Sequence, residues 1–403
     1  MSRVAGRLGA AAPGMVASYP SHRMDFTFTD EHQALRAMVR SFAEERIAPH
    51  AVQWDRDHHF PTDVVHAMGE LGLFGITADE QWGGAGSDLT SLCIAIEELA
   101  RVDQSMAITL EAAVGLGINP IHEFGSREQK ARWLPDLVAG RTLAGFGLTE
   151  PEAGSDAGAT ATRAELDGDE WVINGSKAFI TNSGSDITSV VTITARTGPD
   201  EISTIIVPSE TPGFVVEPPY RKMGWHASDT HGLTFTDCRV PYDNLLGERG
   251  KGFHQFLATL DDGRIAIAAM AVGVLQACLD ESLAYANDRT SFGKPIGSYQ
   301  AVAFKVADLQ VMADAARLLT YRAAWLKDTG QPFKQEAAIA KLYATEAAVS
   351  ATRDATQIFG GYGFIDDTLV ARHYRDAKIL EIGEGTSEIQ RLVISRGLGL
   401  PIR

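Results

Sequence analysis

Cysteine is scarce in this chain of 403 residues. Cys93, Cys238 and Cys278 are far apart and odd in number. That pattern excludes a disulfide framework and a cysteine-based metal site, and it points to a reducing compartment. No uninterrupted apolar run approaches the ~18 residues of a membrane span. Positive charge is also in short supply. The formal net charge of -16 argues against a general nucleic-acid or anionic-membrane surface, while leaving room for a local basic patch that meets a phosphate-bearing ligand. No glycine-rich run follows a strand and opens a helix, so a dinucleotide fingerprint is missing. A Gly-x-Ser-x-Gly nucleophile elbow is missing too. Asp57-His58-His59 has no third ligand nearby in sequence, and adjacent histidines diverge on regular structure, so no metal is expected. The first 23 residues contain no acid, only Arg3, Arg7 and Arg23 among many Ala and Gly. A transit peptide has this flavour and would place the protein in the mitochondrial matrix. Without a clear amphipathic repeat the stretch reads instead as a disordered extension, and the protein as cytoplasmic.

What is present has ordinary globular composition, 45% hydrophobic and 22% charged, with length for two or three domains. From Thr29 to about Gly140 the apolar spacing is helical. Asp30 is placed to cap a helix carrying Leu35, Met38, Val39, Phe42 and Ile47. Asp88 to Leu99 is a second helix, and Ser126-Arg127-Glu128-Gln129 is a capping box opening a third towards Val138. From about Arg141 to Gly247 the period falls to two. Trp171 to Ile173 and Ser176 to Thr181 flank Asn174-Gly175, a hairpin signal. Val190 to Ala195 pairs with Ile202 to Val207, and Gly213 to Glu217 and Gly232 to Asp237 add strands. Beyond Gly250, long alanine-rich helices return over Phe253 to Asn287, Tyr299 to Lys327 and Gln335 to Phe359. The expected fold is α+β: an N-terminal helical domain (24–142), a middle antiparallel β domain (143–247) and a C-terminal four-helix bundle (248–403).

Several segments carry chemistry that packing explains poorly. Glu384 stands between Gly383 and Gly385, just before Thr386-Ser387-Glu388-Ile389-Gln390, like a base on a loop with bare backbone for a flat partner. Phe146-Gly147-Leu148-Thr149-Glu150-Pro151-Glu152-Ala153-Gly154-Ser155-Asp156 offers hydroxyls and open amides for the edge of a polar ring system. Read alone it is equally an interdomain loop. Phe179 and Thr181 can meet a ring, or simply face a core. Arg289-Thr290-Ser291-Phe292-Gly293-Lys294 suits a pyrophosphate or a solvated turn. In Gln357-Ile358-Phe359-Gly360-Gly361-Tyr362-Gly363-Phe364, a helix C-cap explains one glycine and not three.

In this order, over about Met24 to Arg403, these motifs resemble the acyl-CoA dehydrogenase family. The resemblance implies FAD between the β domain and the C-terminal bundle. Phe146, Leu148, Thr149, Ser155, Phe179 and Thr181 match positions around the flavin ring. Arg289, Ser291, Phe292 and Gln300 match positions that hold diphosphate and adenosine from a neighbouring subunit. Gln357 and Gly361 match positions across the same interface, and Thr386 and Glu388 match positions beside the cofactor. A shared cofactor implies a homotetramer built as a dimer of dimers. Glu384 matches the catalytic base. Some relatives carry the base on a helix, at the position of Gly263 here, which cannot serve. Ser155, Asp261 and Arg264 match contacts to the pantetheine arm and the CoA end, and Gly385 keeps the backbone beside the thioester approachable.

The implied reaction removes a proton from Cα of an acyl-CoA while a hydride leaves Cβ for the flavin, giving a trans-2-enoyl-CoA. Because Cα–H is a weak acid, the base must be desolvated and its pKa raised. The Glu384 N–H and a flavin ribityl hydroxyl would form the oxyanion hole. An electron-transfer flavoprotein is the implied acceptor. Rival readings are an acyl-CoA oxidase, a decarboxylating dicarboxyl-CoA dehydrogenase and an idle binding module of the same fold. This sequence departs from the family pattern at Gly383, where an aromatic is common, and at Phe179, where Trp is common. The acyl group is left open.

Overall fold

The computed structural model describes residues 27–402, so the extension expected over 1–23 lies outside the described residues. In the N-terminal part, α1 (Asp30–Phe42), α2 (Ala51–Asp57), α3 (Thr62–Glu70), α4 (Leu89–Ala100), α5 (Gln104–Glu111), α6 (Asn119–Phe124) and α7 (Arg127–Val138) follow in order. The first cap differs from the sequence expectation. Thr29, not Asp30, is the N-cap: its Oγ1 accepts from the His32 N–H at 3.2 Å, and Asp30 becomes a first-turn acid that complements the helix dipole. The Ser126/Gln129 capping box forms as read, and Asp88 caps α4.

Every residue of α4 is buried, including two acids. Glu98 accepts from Arg36 (3.0 Å) and Arg40 (2.9 Å), and Glu97 accepts from Arg317 (2.9 Å). Buried carboxylates persist only with such partners. Here the partners also tie the N-terminal helices to the C-terminal bundle.

The middle segment builds one sheet from β1 (Leu143–Gly147), β2 (Arg163–Asp167), β3 (Glu170–Thr181), β4 (Thr188–Gly198), β5 (Glu201–Pro208), β6 (Phe214–Val216), β7 (Thr230–Pro241) and β8 (Leu245–Leu246). Its order is β6-β7-β3-β2-β4-β5-β8, with β1 alongside β4. Most pairs are antiparallel, but β4 runs parallel to both β1 and β2. The hairpin expected at Asn174-Gly175 does not exist. β3 runs straight through it, with a register shift against β7 and Gly175 at φ +150°. The hairpin joins β2 to β3 one turn earlier, around Gly168 at φ +66°. The reason is burial: Trp171 and Ile173 must face the sheet core together with Val191, Ile205 and Leu233. Asn174-Gly175 therefore supplies a bulge where Thr162 packs within 2.5 Å of a would-be Cβ.

Helix α8 (Gly252–Asp288), the small strands β9 (Thr290–Ser291) and β10 (Lys294–Pro295), then α9 (Gln300–Asp328), α10 (Lys334–Phe359), α11 (Leu369–Asp376) and α12 (Ser387–Gly397) complete the chain. α8, α9 and α10 pack on one another, α12 lies along α10, and α4 packs on α8 and α9. One hydrophobic core runs through the helices that precede and follow the sheet in the chain, while the sheet has its own. By length and composition α8 is apolar enough to cross a bilayer, yet 83% of its most apolar window is buried inside the protein, as for a core helix. At Gly273 the α4 backbone comes so close that a Cβ would lie 2.3 Å from the Glu97 carbonyl oxygen.

Candidate active site

The loop that carries Glu384 starts where α11 is anchored: the buried Asp376 carboxylate accepts the Trp225 N–H at 2.7 Å. After a short helical turn over Ala377–Glu381, Glu384 and Gly385 take consecutive left-handed conformations, φ +53° and +91°. For a glutamate this costs on the order of 1–2 kcal/mol. Hydrogen bonds to the loop offset it. The Gly385 carbonyl accepts from Lys341 Nζ (2.7 Å) and Gln390 Nε2 (2.8 Å), and Thr386 caps α12. Among the described residues the Glu384 N–H has no hydrogen-bond partner.

Glu384 is partly accessible as a residue, but both of its carboxylate oxygens are buried and without a regular hydrogen bond. Burial raises its pKa to about 7, against the pull of Glu111, Lys341 and Arg264 towards the ionised form. Burial likewise brings Lys341 down to about 8, with Glu384 opposing. The carboxylate is seated on α8: a Cβ at Gly263 would lie 2.0 Å from Glu384 Oε2. Hence Gly263 does more than lack a carboxyl of its own; its bareness makes the slot for the Glu384 carboxylate. Asp261 and Arg264 on the same helix pair at 2.5 Å, and Lys334 joins Asp261 at 3.1 Å. A cavity of about 540 Å³ opens from Gly263 and Gly115 past Leu92 and Val114 to Asp262 and Lys327, a volume suited to a small molecule.

On the sheet, the loop that follows β1 is pinned by a buried ammonium. Lys177 Nζ donates to Glu150 (2.7 Å), Thr194 (3.0 Å) and the Leu148 carbonyl (3.3 Å). Glu150 also accepts the N–H groups of Ala161 and Thr162, and the Thr149 carbonyl accepts from Ala178. Burial lowers Lys177 to about 8, with Glu150 resisting. Leu148 and Thr149 thereby hold a fixed backbone, with Ser155 exposed beyond them. Phe179 is left-handed (φ +62°) and 64% exposed, tilted on Tyr220; Thr181 ends the same strand. The Phe146 ring stacks on Phe256 of α8 at 3.9 Å, so it joins sheet to helix.

Arg289, Ser291 and Gly361 line a second cavity of about 540 Å³, together with Tyr285, Phe359 and Tyr362. None of the sheet residues singled out above lines it. Arg289 lies over the Tyr362 ring at 5.9 Å and has no ion-pair partner among the described residues. Phe292 is left-handed (φ +52°) and 95% exposed, and Gln300 and Gln357 are exposed too. Thr386 serves as a helix cap, and Glu388 is an exposed first-turn acid. No group of three His, Cys, Asp or Glu among the described residues is arranged to hold a metal, and His58 stacks on His226 at 4.1 Å.

Sequence reasoning did not single out Lys341, Gln390, Lys177 or Glu150. Signals existed. Lys341 interrupts the buried alanine stripe Ala337–Ala344–Ala348–Ala351–Ala355. Glu111 is an acid in an otherwise apolar stretch, and Lys177 falls on the inward side of β3.

Three family models match this chain: the acyl-CoA dehydrogenase N-terminal domain over residues 29–141, the middle domain over 145–238 and the C-terminal domain over 250–399. The chain is 51% identical to a probable acyl-CoA dehydrogenase, YngJ, of Bacillus subtilis, covering 93% of this chain and 100% of that protein. It is 46% identical to the mitochondrial short-chain specific acyl-CoA dehydrogenase of Mus musculus, covering 91% and 89%. Among solved structures, butyryl-CoA dehydrogenase from Megasphaera elsdenii superposes with a TM-score of 0.91 at 42% identity, covering 93% of this chain and all of that one.

Proposed function

Because this chain belongs to the acyl-CoA dehydrogenase family, we propose that Glu384 is the base with which it converts a short, straight acyl-CoA into the trans-2-enoyl-CoA. The protein is an FAD-dependent oxidoreductase acting on acyl-CoA thioesters. The observation that carries the residue assignment is the desolvated Glu384 carboxylate, with a pKa near neutrality, on a hydrogen-bonded loop and seated against Gly263, which lines the cavity. A base of that pKa is ionised enough at pH 7 to act and basic enough to take a Cα proton. The free Glu384 N–H donates to the thioester oxygen as charge develops there. Lys341 and Gln390 keep that N–H in place by holding the next carbonyl. Asp261, Arg264 and Ser155 bind the pantetheine arm and the CoA end, and Gly385 leaves room for the thioester.

The residues present fit FAD. Arg289 offers a guanidinium with no ion-pair partner to a diphosphate, and a Cβ at Gly360 or Gly361 would touch nothing, so a flat group can approach the backbone there. Phe179 and Phe292 present exposed rings. When bound, FAD supplies the acceptor for the hydride that leaves Cβ. Phe146, Leu148, Thr149, Ser155, Phe179, Thr181, Thr386 and Glu388 hold it in one subunit; Arg289, Ser291, Phe292, Gln300, Gln357 and Gly361 hold it from the partner. That sharing requires a homo-oligomer, in this family's pattern a tetramer. The apolar stripe Phe304, Val311 and Leu318, exposed at seven-residue spacing along α9, supports it. An electron-transfer flavoprotein receives the electrons. The setting is cytoplasmic, in keeping with three buried free thiols.

The test is anaerobic flavin bleaching with short, medium, branched and dicarboxylic acyl-CoA thioesters. Butyryl-CoA should bleach the wild-type flavin fastest. Glu384→Gln should keep FAD and lose about 10³-fold or more in rate. Near-wild-type bleaching by that variant would refute the base assignment, and peroxide release in air would make the protein an oxidase.

A further inference from the structure

Glu111 is the second carboxyl in the same buried space. It ends α5, just before the π-helical segment Ala112–Ile118, and is completely buried. Neither of its oxygens, nor either of Glu384's, has a partner in regular hydrogen-bond geometry, and Glu384 is the charged group that Glu111 faces. Two glycines cradle the pair. A Cβ at Gly115 would stand 3.0 Å from Glu111 Oε1, as one at Gly263 would from Glu384 Oε2 at 2.0 Å.

Two carboxyls sharing one desolvated space do not both ionise near neutral pH, so one holds a proton. The surrounding charges decide which. Glu384 is faced by Lys341 from α10 and Arg264 from α8, and both favour its anion. Among the described residues, no cation acts on Glu111. Arg101, Glu97 and Glu98 near α4, and Asp261 and Asp262 on α8, are engaged elsewhere, in ion pairs with Asp280, Arg317, Arg40, Lys334 and Lys327. The proton therefore sits on Glu111.

We infer that Glu111 is a positioning residue for the base: a neutral carboxylic acid whose O–H is directed at the Glu384 carboxylate and holds it in the slot over Gly263. The inference rests on Glu384 being the base. A neutral donor favours the Glu384 anion without adding charge, so the base stays ionised to lower pH than burial alone would permit. Burial and the neighbouring Glu384 both push the Glu111 pKa well up, consistent with this placement of the proton. The pair also sets a chemical filter. An acyl group ending in a carboxylate would bring another anion into this space, whereas a short apolar acyl group brings none.

The experiment uses FAD-loaded enzyme and butyryl-CoA, with anaerobic single-turnover bleaching followed from about pH 5.5 to 9.5 for wild type, Glu111→Gln and Glu111→Leu. The rising limb of the rate should move up by about one pH unit in Glu111→Leu, a loss of about tenfold below the limb. Glu111→Gln, which keeps a neutral donor, should restore most of it. A void alone would change KM and leave the limb in place. In parallel, infrared spectra at pH 8 should show a buried protonated carboxyl in wild type and in Glu384→Gln that is lost in Glu111→Gln; this arm decides the matter if Glu111→Leu folds poorly. Coincident limbs, or a carboxyl band that survives Glu111→Gln, would overturn the role of Glu111. Failure of the wild-type enzyme to bleach at any pH would instead overturn the assigned reaction.

Discussion

At the scale of single residues, the Glu384 carboxylate, the proposed base, is held in a place that disfavours its charge. The ordinary glutamate pKa is near 4.5, and in the fold Glu384 titrates at about 7. The folded state thus keeps a proton that the unfolded chain gives up between these values. The contribution favours folding below the lower value and is lost as pH rises through 7. Glu384→Gln removes the ionisable group, so it should raise the Tm at pH 8 and change it little at pH 5; thermal unfolding of FAD-loaded protein at the two pH values checks this. Gly263→Ala tests the slot. Alanine is the better helix former by about 0.5–1 kcal/mol, so the fold should be kept or slightly stabilised. The methyl would nevertheless displace the Glu384 carboxylate, and a misplacement of about 1 Å can cost about 10²-fold in rate. Unchanged single-turnover bleaching would show that the carboxylate does not work from this slot. Glu384 stood out in the sequence as a candidate, and Gly263 only as a position that cannot supply a base. Lys341 and Gln390 did not stand out, because they act by reaching a carbonyl 44 and 5 residues away, and only the fold supplies that proximity.

Secondary-structure elements were easiest to read where local chemistry and burial agree. Ser126 and Gln129 cap α7 because both partners lie within one turn. Asn174-Gly175 misled because its local turn preference was overruled: breaking β3 there would have turned its inward residues away from the sheet core. α9 shows the converse. Its face carrying Phe304, Val311 and Leu318 is patterned for burial yet exposed in a single chain. Val311→Asp should therefore dissociate the proposed oligomer, read by sedimentation velocity. It should also weaken FAD retention if, as proposed, Arg289 and Phe292 reach the cofactor of the partner. A variant that stays fully assembled would rule this face out as the interface.

For the whole molecule, helices before and after the sheet share one core, and the sheet stands beside them with another. The proposed cofactor residues lie on the sheet side and, through the partner, near α9 and α10. FAD would then stabilise the folded assembly by mass action. Free FAD at a hundred times its Kd should add about 2.7 kcal/mol to apoprotein stability, seen as a Tm that climbs with FAD concentration. A Tm independent of FAD would contradict a cofactor held by these residues.

The sequence by itself determined the α–β–α order, the helix starts with local caps, the lone carboxylate between glycines and the family to which these motifs lead. Each depends on neighbours in the chain or on side-chain chemistry alone. The tertiary structure decided where the hairpin turns, which buried cations and amides hold the two loops, and that Glu111 meets Glu384. These depend on which surfaces must leave water together, and on electrostatics that become strong only after water has been excluded.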